Sequence, residues 1–374
     1  MKLPEQTRRF TSLLLALTLF VGTSVAQVTA DKAQVTATKH PFLWRIDGHG
    51  NNDFKVKSWL YGTMHLGDKR LVTLPKVVDD ARENADALYC ELDMIAMSKN
   101  QLQMIKAMML PKGQKLSDRI SPELYARLDK YLRNHGASAA QFDQMKVWAV
   151  NISMATLDVV KDGFTHSLDD MIYRDARNDD LEVGGLETMN EQIKAFIGAS
   201  ESDQIRSLKQ SLTTAEKYDA QGRSQMKEML EAYLSGDSKQ LTAKLEESFQ
   251  GDPELAARMM KPLLDDRNVR MTQRMIEKLT AHPDKSYFFA VGALHYPGKK
   301  GILKLMRSKG YRITRINPPT SKQSTDLGAQ VKDLESRMAK LLEVLTMVRK
   351  ENARFEVRVR KLEFKVKALE KRLR

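Results

Sequence analysis

One pattern recurs in this chain and limits its fold more than any other: an apolar strand-like run, then Gly-x-x-His, a loop, a helical stretch and a second strand-like run. The first copy reads Trp59-Leu60-Tyr61-Gly62-Thr63-Met64-His65, continues through a helical stretch near Pro75 to Asn84 and ends in Ala87 to Leu92. The second reads Phe288-Phe289-Ala290-Val291-Gly292-Ala293-Leu294-His295, continues through Gly301 to Ser308 and ends in Tyr311 to Ile316. A duplicated unit of this kind predicts two βαβ-like halves brought together about a pseudo-twofold, with both histidines at the carboxyl ends of strands.

The other periodic segments fill in the body. Phe42 to Asp47 and Phe54 to Tyr61 read as a β-hairpin around Gly48 to Asn52, and Leu181 to Leu186 reads as a further strand. Ser121-Pro122-Glu123 opens a helix that stops at Gly136. Apolar residues recur at three- and four-residue spacing from Gln141 to Val160 and from Pro253 to Leu279. Residues 40–318 are therefore expected to form an α/β (α+β) body, a sheet flanked by helices with a large helical insertion.

Either histidine alone would be read as a satisfied structural residue; two in matching contexts point to a shared crevice. Glycine at a strand end lets a ligand or another backbone approach, and a histidine three residues on can turn into that space. Glu91 is the third element. Every neighbour in Ala87-Leu88-Tyr89-Cys90-Glu91-Leu92 suits a buried strand, so its carboxylate must be paired, hydrogen-bonded or metal-bound. Two imidazoles and a carboxylate form a common ligand set for Zn²⁺, Mn²⁺ or Co²⁺ with positions left open for water; pairing of Glu91 with a structural arginine is the alternative. Glu187 also sits at a strand end, where it could serve chemistry or cap the helix that follows, and Arg267-Asn268 lies in a helix of mixed charge. Cys90 is the only cysteine, so an intramolecular disulfide and a cysteine-based zinc site are excluded.

The flanks read differently. Lys2, Arg8 and Arg9, the apolar stretch Phe10 to Val21 and the small residues Ser24-Val25-Ala26 compose a secretory signal over residues 1–26, so export to a periplasmic or secreted location is expected. An uncleaved anchor is the alternative. Residues 319–326 read as a linker and 327–374 as a coiled coil, since Leu327, Val331, Leu334, Met338 and their successors to Leu373 alternate four- and three-residue steps. Asn352 at an a position favours a parallel dimer as the homo-oligomer; Leu342 and Val344 widen the apolar face and leave a trimer open. The net charge is +13, but residues 325–374 alone carry 14 basic and 8 acidic side chains. The body is only mildly basic. With no recognisable nucleic-acid motif, weak attraction to an anionic envelope surface is expected rather than a nucleic-acid partner.

In the order and content of its motifs the chain resembles the TraB/GumN/PrgY family, and within it the Tiki metalloproteases. The resemblance runs from about Phe42 to Asn317. It rests on Tyr61-Gly62-Thr63-Met64-His65, Leu74-Pro75, Tyr89-Cys90-Glu91-Leu92-Asp93, Gly185-Leu186-Glu187-Thr188, Arg267-Asn268, Ser286 to His295 and Gly310-Tyr311. It implies a fold similar to the erythromycin-esterase and haem-binding-protein-like group and a site built from the two Gly-x-x-His histidines and glutamates. It also implies Mn²⁺- or Co²⁺-dependent hydrolysis of a peptide or protein substrate, with Zn²⁺ an alternative. On that basis His65, Glu91 and His295 would hold the metal, Glu187 would act as general base and then proton donor, and Arg267 or Asn268 would stabilise the oxyanion. A non-catalytic peptide- or ligand-binding regulator of the cell envelope, or an envelope scaffold acting through its coiled coil, are the competing readings.

Overall fold

The structure is a computed structural model that describes residues 40–317 other than 66, 165 and 250. The signal segment, the linker and the coiled coil lie outside the described residues. Among those described, no helix is long and apolar enough to cross a membrane.

Six strands form one sheet: β1 (Leu43–His49), β2 (Asn52–Thr63), β3 (Ala87–Leu92), β4 (Glu182–Glu187), β5 (Tyr287–Gly292) and β6 (Tyr311–Arg315). Their order is β4-β3-β5-β2-β1-β6. β2, β3, β4 and β5 run parallel, while β1 lies antiparallel between β2 and β6. Central β5 reads as an unbroken apolar run, as a strand covered on both faces does; its Phe288, Phe289, Ala290 and Val291 are fully buried. Every expected strand is present, and β2 is longer than the sequence suggests.

The connections decide where a site can sit. From β2 the chain passes through the helix Lys76–Glu83, crosses over β5 and enters as β3. From β5 it passes through Ile302–Ser308 in the opposite direction and crosses over β2 and β1 to become β6. Right-handed crossovers leaving neighbouring strands in opposite directions put their helices on opposite faces of the sheet. The carboxyl ends of β2 and β5 thus form a topological switch point, the usual position of a binding crevice in such sheets. Register brings the duplicated motifs together there, with Gly62 opposite Val291 and Thr63 opposite Gly292.

The insertions between β3 and β4 and between β4 and β5 are helical and have a core of their own around Leu128, Trp148, Ala149, Leu208 and Leu212. Two expected helices are divided. The Gln141 to Val160 stretch becomes a 3-10 turn, Ala139–Phe142, followed by the helix Val147–Lys161, because Met145 pairs with Met109 in an isolated bridge between them. The Pro253 to Leu279 stretch becomes Pro253–Met260, a π-helical turn Lys261–Asp265 and the helix Asp266–Ala281. Pro262 cannot donate the helical bond an α-turn would require, and the wider turn accommodates it. Arg267 and Asn268 follow directly.

Candidate active site

Glu91 is 5 % exposed at the end of β3 and is the hub of the switch-point crevice. Its Oε1 accepts the Gly292 amide proton at 2.8 Å, and its Oε2 accepts from Arg267 Nη2 at 2.5 Å. The same Oε1 lies 3.5 Å from His295 Nε2 and 3.8 Å from His65 Nε2. Burial pushes the Glu91 carboxyl up, but Arg267, the two histidines and the Gly292 amide outweigh it and hold it well below the usual carboxylate range.

The two histidines turn the same edge toward Glu91 and are held from behind by different groups. His65 Nδ1 is 2.9 Å from Asp169 Oδ2, and Thr63 Oγ1 donates to the other Asp169 oxygen at 2.6 Å. His295 Nδ1 is 2.6 Å from Asn268 Oδ1, while Asn268 Nδ2 donates to the Lys300 carbonyl. The His65 side chain is 61 % exposed and that of His295 only 4 %. Asp169, assisted by Glu91, raises the pKa of His65 to about 9, whereas burial lowers that of His295 to about 4.

Two buried tyrosines hold the first motif, one from the second motif and one from the helix Gln225–Ser235. Tyr296, next to His295, donates to the carbonyl of Tyr61 at 3.0 Å, and Tyr233 donates to the carbonyl of Gly62 at 2.9 Å. The motif glycines serve different ends. A Cβ at Gly62 would meet Phe42 Cβ at 2.7 Å, so that glycine is required by packing. A Cβ at Gly292 would stand 3.0 Å from Glu91 Oε1 and 3.5 Å from both His65 Nε2 and His295 Cδ2, inside the space the three side chains bound.

Glu187, Arg267 and Asn268 come to the crevice but not in the arrangement expected for catalysis. The Glu187 side chain is fully buried, with Oε2 taken by Arg267 Nε at 2.7 Å and Oε1 by Arg270 Nη2 at 2.6 Å. Arg267 bridges Glu187 and Glu91 and gives Nη1 to the Leu263 carbonyl, so each of its three nitrogens is engaged in the scaffold. Asn268 is spent on His295 and Lys300. In this geometry the three side chains support Glu91 and His295. Cys90, 1 % exposed with its thiol pushed up by burial, belongs to the core.

Asp169, Thr63, Tyr233 and Tyr296 escaped the sequence reading. Ser167-Leu168-Asp169-Asp170 has the look of a helix start, and Ser167 does cap Leu168–Asn178; acids in a first turn are ordinary there. The available signal was that one of the two acids also had to be buried, which the apolar register around Leu168 and Ile172 implies.

Among the described residues no group of three or more His, Cys, Asp or Glu stands ready-made to hold a metal ion. What the crevice offers is an open set. Donors of a tetrahedral ion bound at about 2.0–2.1 Å stand roughly 3.3 Å apart, and the 3.5 and 3.8 Å separations about Glu91 Oε1 are close to that. The side-chain-free position at Gly292 and the occupied Nδ1 atoms, which leave both Nε2 atoms facing inward, also fit a cation. With His65 protonated, that imidazolium and the guanidiniums of Arg267 and Arg270 balance the carboxylates of Glu91, Glu187 and Asp169, and a bound cation would take the place of the proton on His65 Nε2.

The profile of the TraB/PrgY/gumN family matches residues 42–315, which holds every strand and every residue named above. The chain belongs to the TraB/PrgY/gumN family. This member is similar to the "Metalloprotease TIKI homolog" of Nematostella vectensis, with 24 % identity over 324 residues covering 74 % of this chain and 67 % of that one. It is similar also to "Metalloprotease TIKI2" of Danio rerio, at 25 % identity over 70 % of this chain and 58 % of that one, and to "Metalloprotease TIKI1" of Homo sapiens, at 24 % over 78 % and 64 %. The chain thus spans about three fifths to two thirds of the length of these relatives. No solved structure matches it.

Proposed function

We propose that this TraB/PrgY/gumN protein is a divalent-metal-dependent peptidase, exported by its residues 1–26, in which His65, His295 and Glu91 hold the metal. The observation that carries the reading is the convergence of two imidazole Nε2 atoms on one buried carboxylate oxygen, over a glycine whose missing side chain leaves room for an ion. The names of the metalloprotease relatives support the peptide substrate and the metal; Mn²⁺ and Co²⁺ are the first candidates and Zn²⁺ the next. When bound, such an ion polarises a substrate carbonyl and lowers the pKa of bound water.

The chain's own residues prepare that chemistry. Asp169 and Asn268 fix the two rings with their Nε2 atoms inward. Arg267, anchored by Glu187, keeps Glu91 ionised and its second oxygen engaged. The buried His295 side closes the crevice, so a peptide approaches on the exposed His65 side. Association of copies through 327–374 is proposed on the heptad pattern alone.

Elemental analysis of protein purified without chelators or a His-tag, followed by turnover on a peptide library, tests the proposal. Near-stoichiometric Mn²⁺, Co²⁺ or Zn²⁺ is expected, lost in His65→Ala, His295→Ala and Glu91→Gln together with peptide cleavage. Retention of metal by the double histidine variant would refute it. A second reading, peptide binding without turnover, draws on the occupation of Glu187, Arg267 and Asn268 by structural partners, which leaves no separate general base. Metal-loaded protein that binds peptides and cleaves none would establish that reading.

A further inference from the structure

The carboxylate that stands behind His65 has no role in any of the motifs, and its environment is unusual. Asp169 is 5 % exposed, and its hydrogen-bond partners are a hydroxyl and an imidazole: Thr63 Oγ1 at 2.6 Å on one oxygen and His65 Nδ1 at 2.9 Å on the other. No arginine or lysine pairs with it among the described residues. A buried carboxylate without a cation is costly, and the cost falls if the ring it touches bears positive charge or donates its far nitrogen to a cation.

The backbone fixes the contact from both sides. Two residues beyond His65, the Gly67 amide donates to the His166 carbonyl at 2.9 Å, and the His166 amide returns a bond to the Gly67 carbonyl at 3.2 Å. Asp169 follows His166 by three positions, at the start of a helix whose cap is Ser167 Oγ. Gly67 permits this staple, since a Cβ there would stand 2.3 Å from Leu71 Cδ1. The loop after β2 and the start of Leu168–Asn178, far apart in sequence, are stitched so that one carboxylate meets one ring nitrogen. Asn268 does the corresponding work for His295, but as a neutral amide.

We infer that Asp169 is the positioning residue of the candidate site: with Thr63 it holds the proton of His65 on Nδ1 and sets the ring plane, so that Nε2 presents its lone pair to the space above Gly292. The inference rests on the reading of His65 as a metal ligand. A histidine ligand oriented by a carboxylate on its other nitrogen loses about ten- to a hundredfold in metal affinity when that carboxylate is removed. Asp169→Asn can offer an amide N–H to Nδ1 and so move the ring proton to Nε2, where it blocks the lone pair.

Full-length Asp169→Asn, Asp169→Ala and Thr63→Val would be compared with wild type in two measurements. The first is ¹⁵N–¹H NMR of the histidine rings in chelator-treated protein at a pH high enough that the His65 ring is neutral, and the second is the affinity for Zn²⁺ and Co²⁺ by calorimetry. The His65 Nδ1 and Nε2 signals are expected to exchange character in Asp169→Asn while those of His295 stay in place. Zn²⁺ affinity is expected to fall ten- to a hundredfold in both Asp169 variants and less in Thr63→Val. Unmoved His65 signals in Asp169→Asn, or affinity within threefold of wild type in folded Asp169→Ala, would overturn the inference. If Asp169→Ala does not fold, Asp169→Asn and Thr63→Val carry the test. Should wild type bind neither ion, the metal reading fails, while the ring signals of the metal-free protein still decide the positioning role.

Discussion

Replacing Gly292 by alanine separates the space-making role of the second motif from its packing role. Gly292 has φ −49° and ψ 134°, a conformation open to any residue, so the substitution strains no backbone. A methyl placed there comes within 3.0 Å of Glu91 Oε1 and 3.5 Å of His65 Nε2 and His295 Cδ2. The first contact is a few tenths of an ångström too short and displaces a carboxylate pinned by Arg267, at a cost of about 1 kcal/mol, similar to an overpacked methylene. Loss of glycine's freedom in the unfolded chain returns about 0.4–1 kcal/mol. Net stability should therefore change by less than about 1 kcal/mol. The methyl does, however, occupy the space between the three donors, and losing even two metal bonds of a few kcal/mol in total means at least a hundredfold in affinity, at 1.4 kcal/mol per factor of ten. Gly62→Ala is the control. Its Cβ meets Phe42 at 2.7 Å and Ala293 at 3.1 Å, in the core behind the site, so it should lose about 1–3 kcal/mol of stability with a smaller effect on affinity. Urea unfolding and Zn²⁺ calorimetry on both variants provide the comparison. Gly292→Ala binding Zn²⁺ within threefold of wild type would refute the idea that this glycine keeps a metal space open.

Glu187→Gln tests the scaffold role against the general-base role: breaking a buried pair with Arg267 and Arg270 should cost about 3 kcal/mol or more in urea unfolding, whereas a pure base would lose turnover at unchanged stability. Tyr296→Phe leaves the Tyr61 carbonyl without its buried donor and should cost about 1–3 kcal/mol by the same assay. In chelated protein His295 stays neutral down to about 4 because it is buried, while the unfolded imidazole takes up a proton near 6.5. Stability should then fall as pH drops from about 6.5 to 4, by roughly 3 kcal/mol at full titration, and His295→Gln should flatten that limb of a stability-against-pH curve.

Strand identity was legible because parallel core strands are apolar on both faces, and β5 carries that signature throughout and β3 in every residue but Glu91. Helix boundaries were less so, since a proline at 262 and a bridge at Met145 depend on partners that spacing does not reveal. Of the candidate site, His65, Glu91 and His295 were legible from local context, and the fold brings them together. The pairing of Glu187 with Arg267 and of Asn268 with His295 was not. A sequence shows that a strand-end glutamate and a helical arginine exist, but the observation that they neutralise each other, leaving neither free, belongs to the packing of Asp266–Ala281 on the sheet. Asp169 was hidden for the complementary reason, as a residue ordinary in its own helix and informative only across the Gly67–His166 staple.

The repeat itself predicts more symmetry than the molecule keeps, and the difference is functional. Two copies of one unit would give two equivalent histidines, each with the same neighbour. The insertions break that equivalence, because Leu168–Asn178 precedes β4 and Asp266–Ala281 follows it, both outside the repeated unit. Each Gly-x-x-His loop therefore meets a different helix. The first meets Leu168–Asn178, which contributes Asp169; the second meets Asp266–Ala281, which contributes Asn268. One ring is left open to solvent beside a charge, and the other is sealed in beside an amide. In a crevice that accepts an ion and a substrate from the same opening, this division is useful, since the sealed histidine supplies a neutral and rigid donor and the open one faces the incoming molecule. The duplication accounts for the presence of two histidines, and the two unlike inserted helices account for their unlike surroundings.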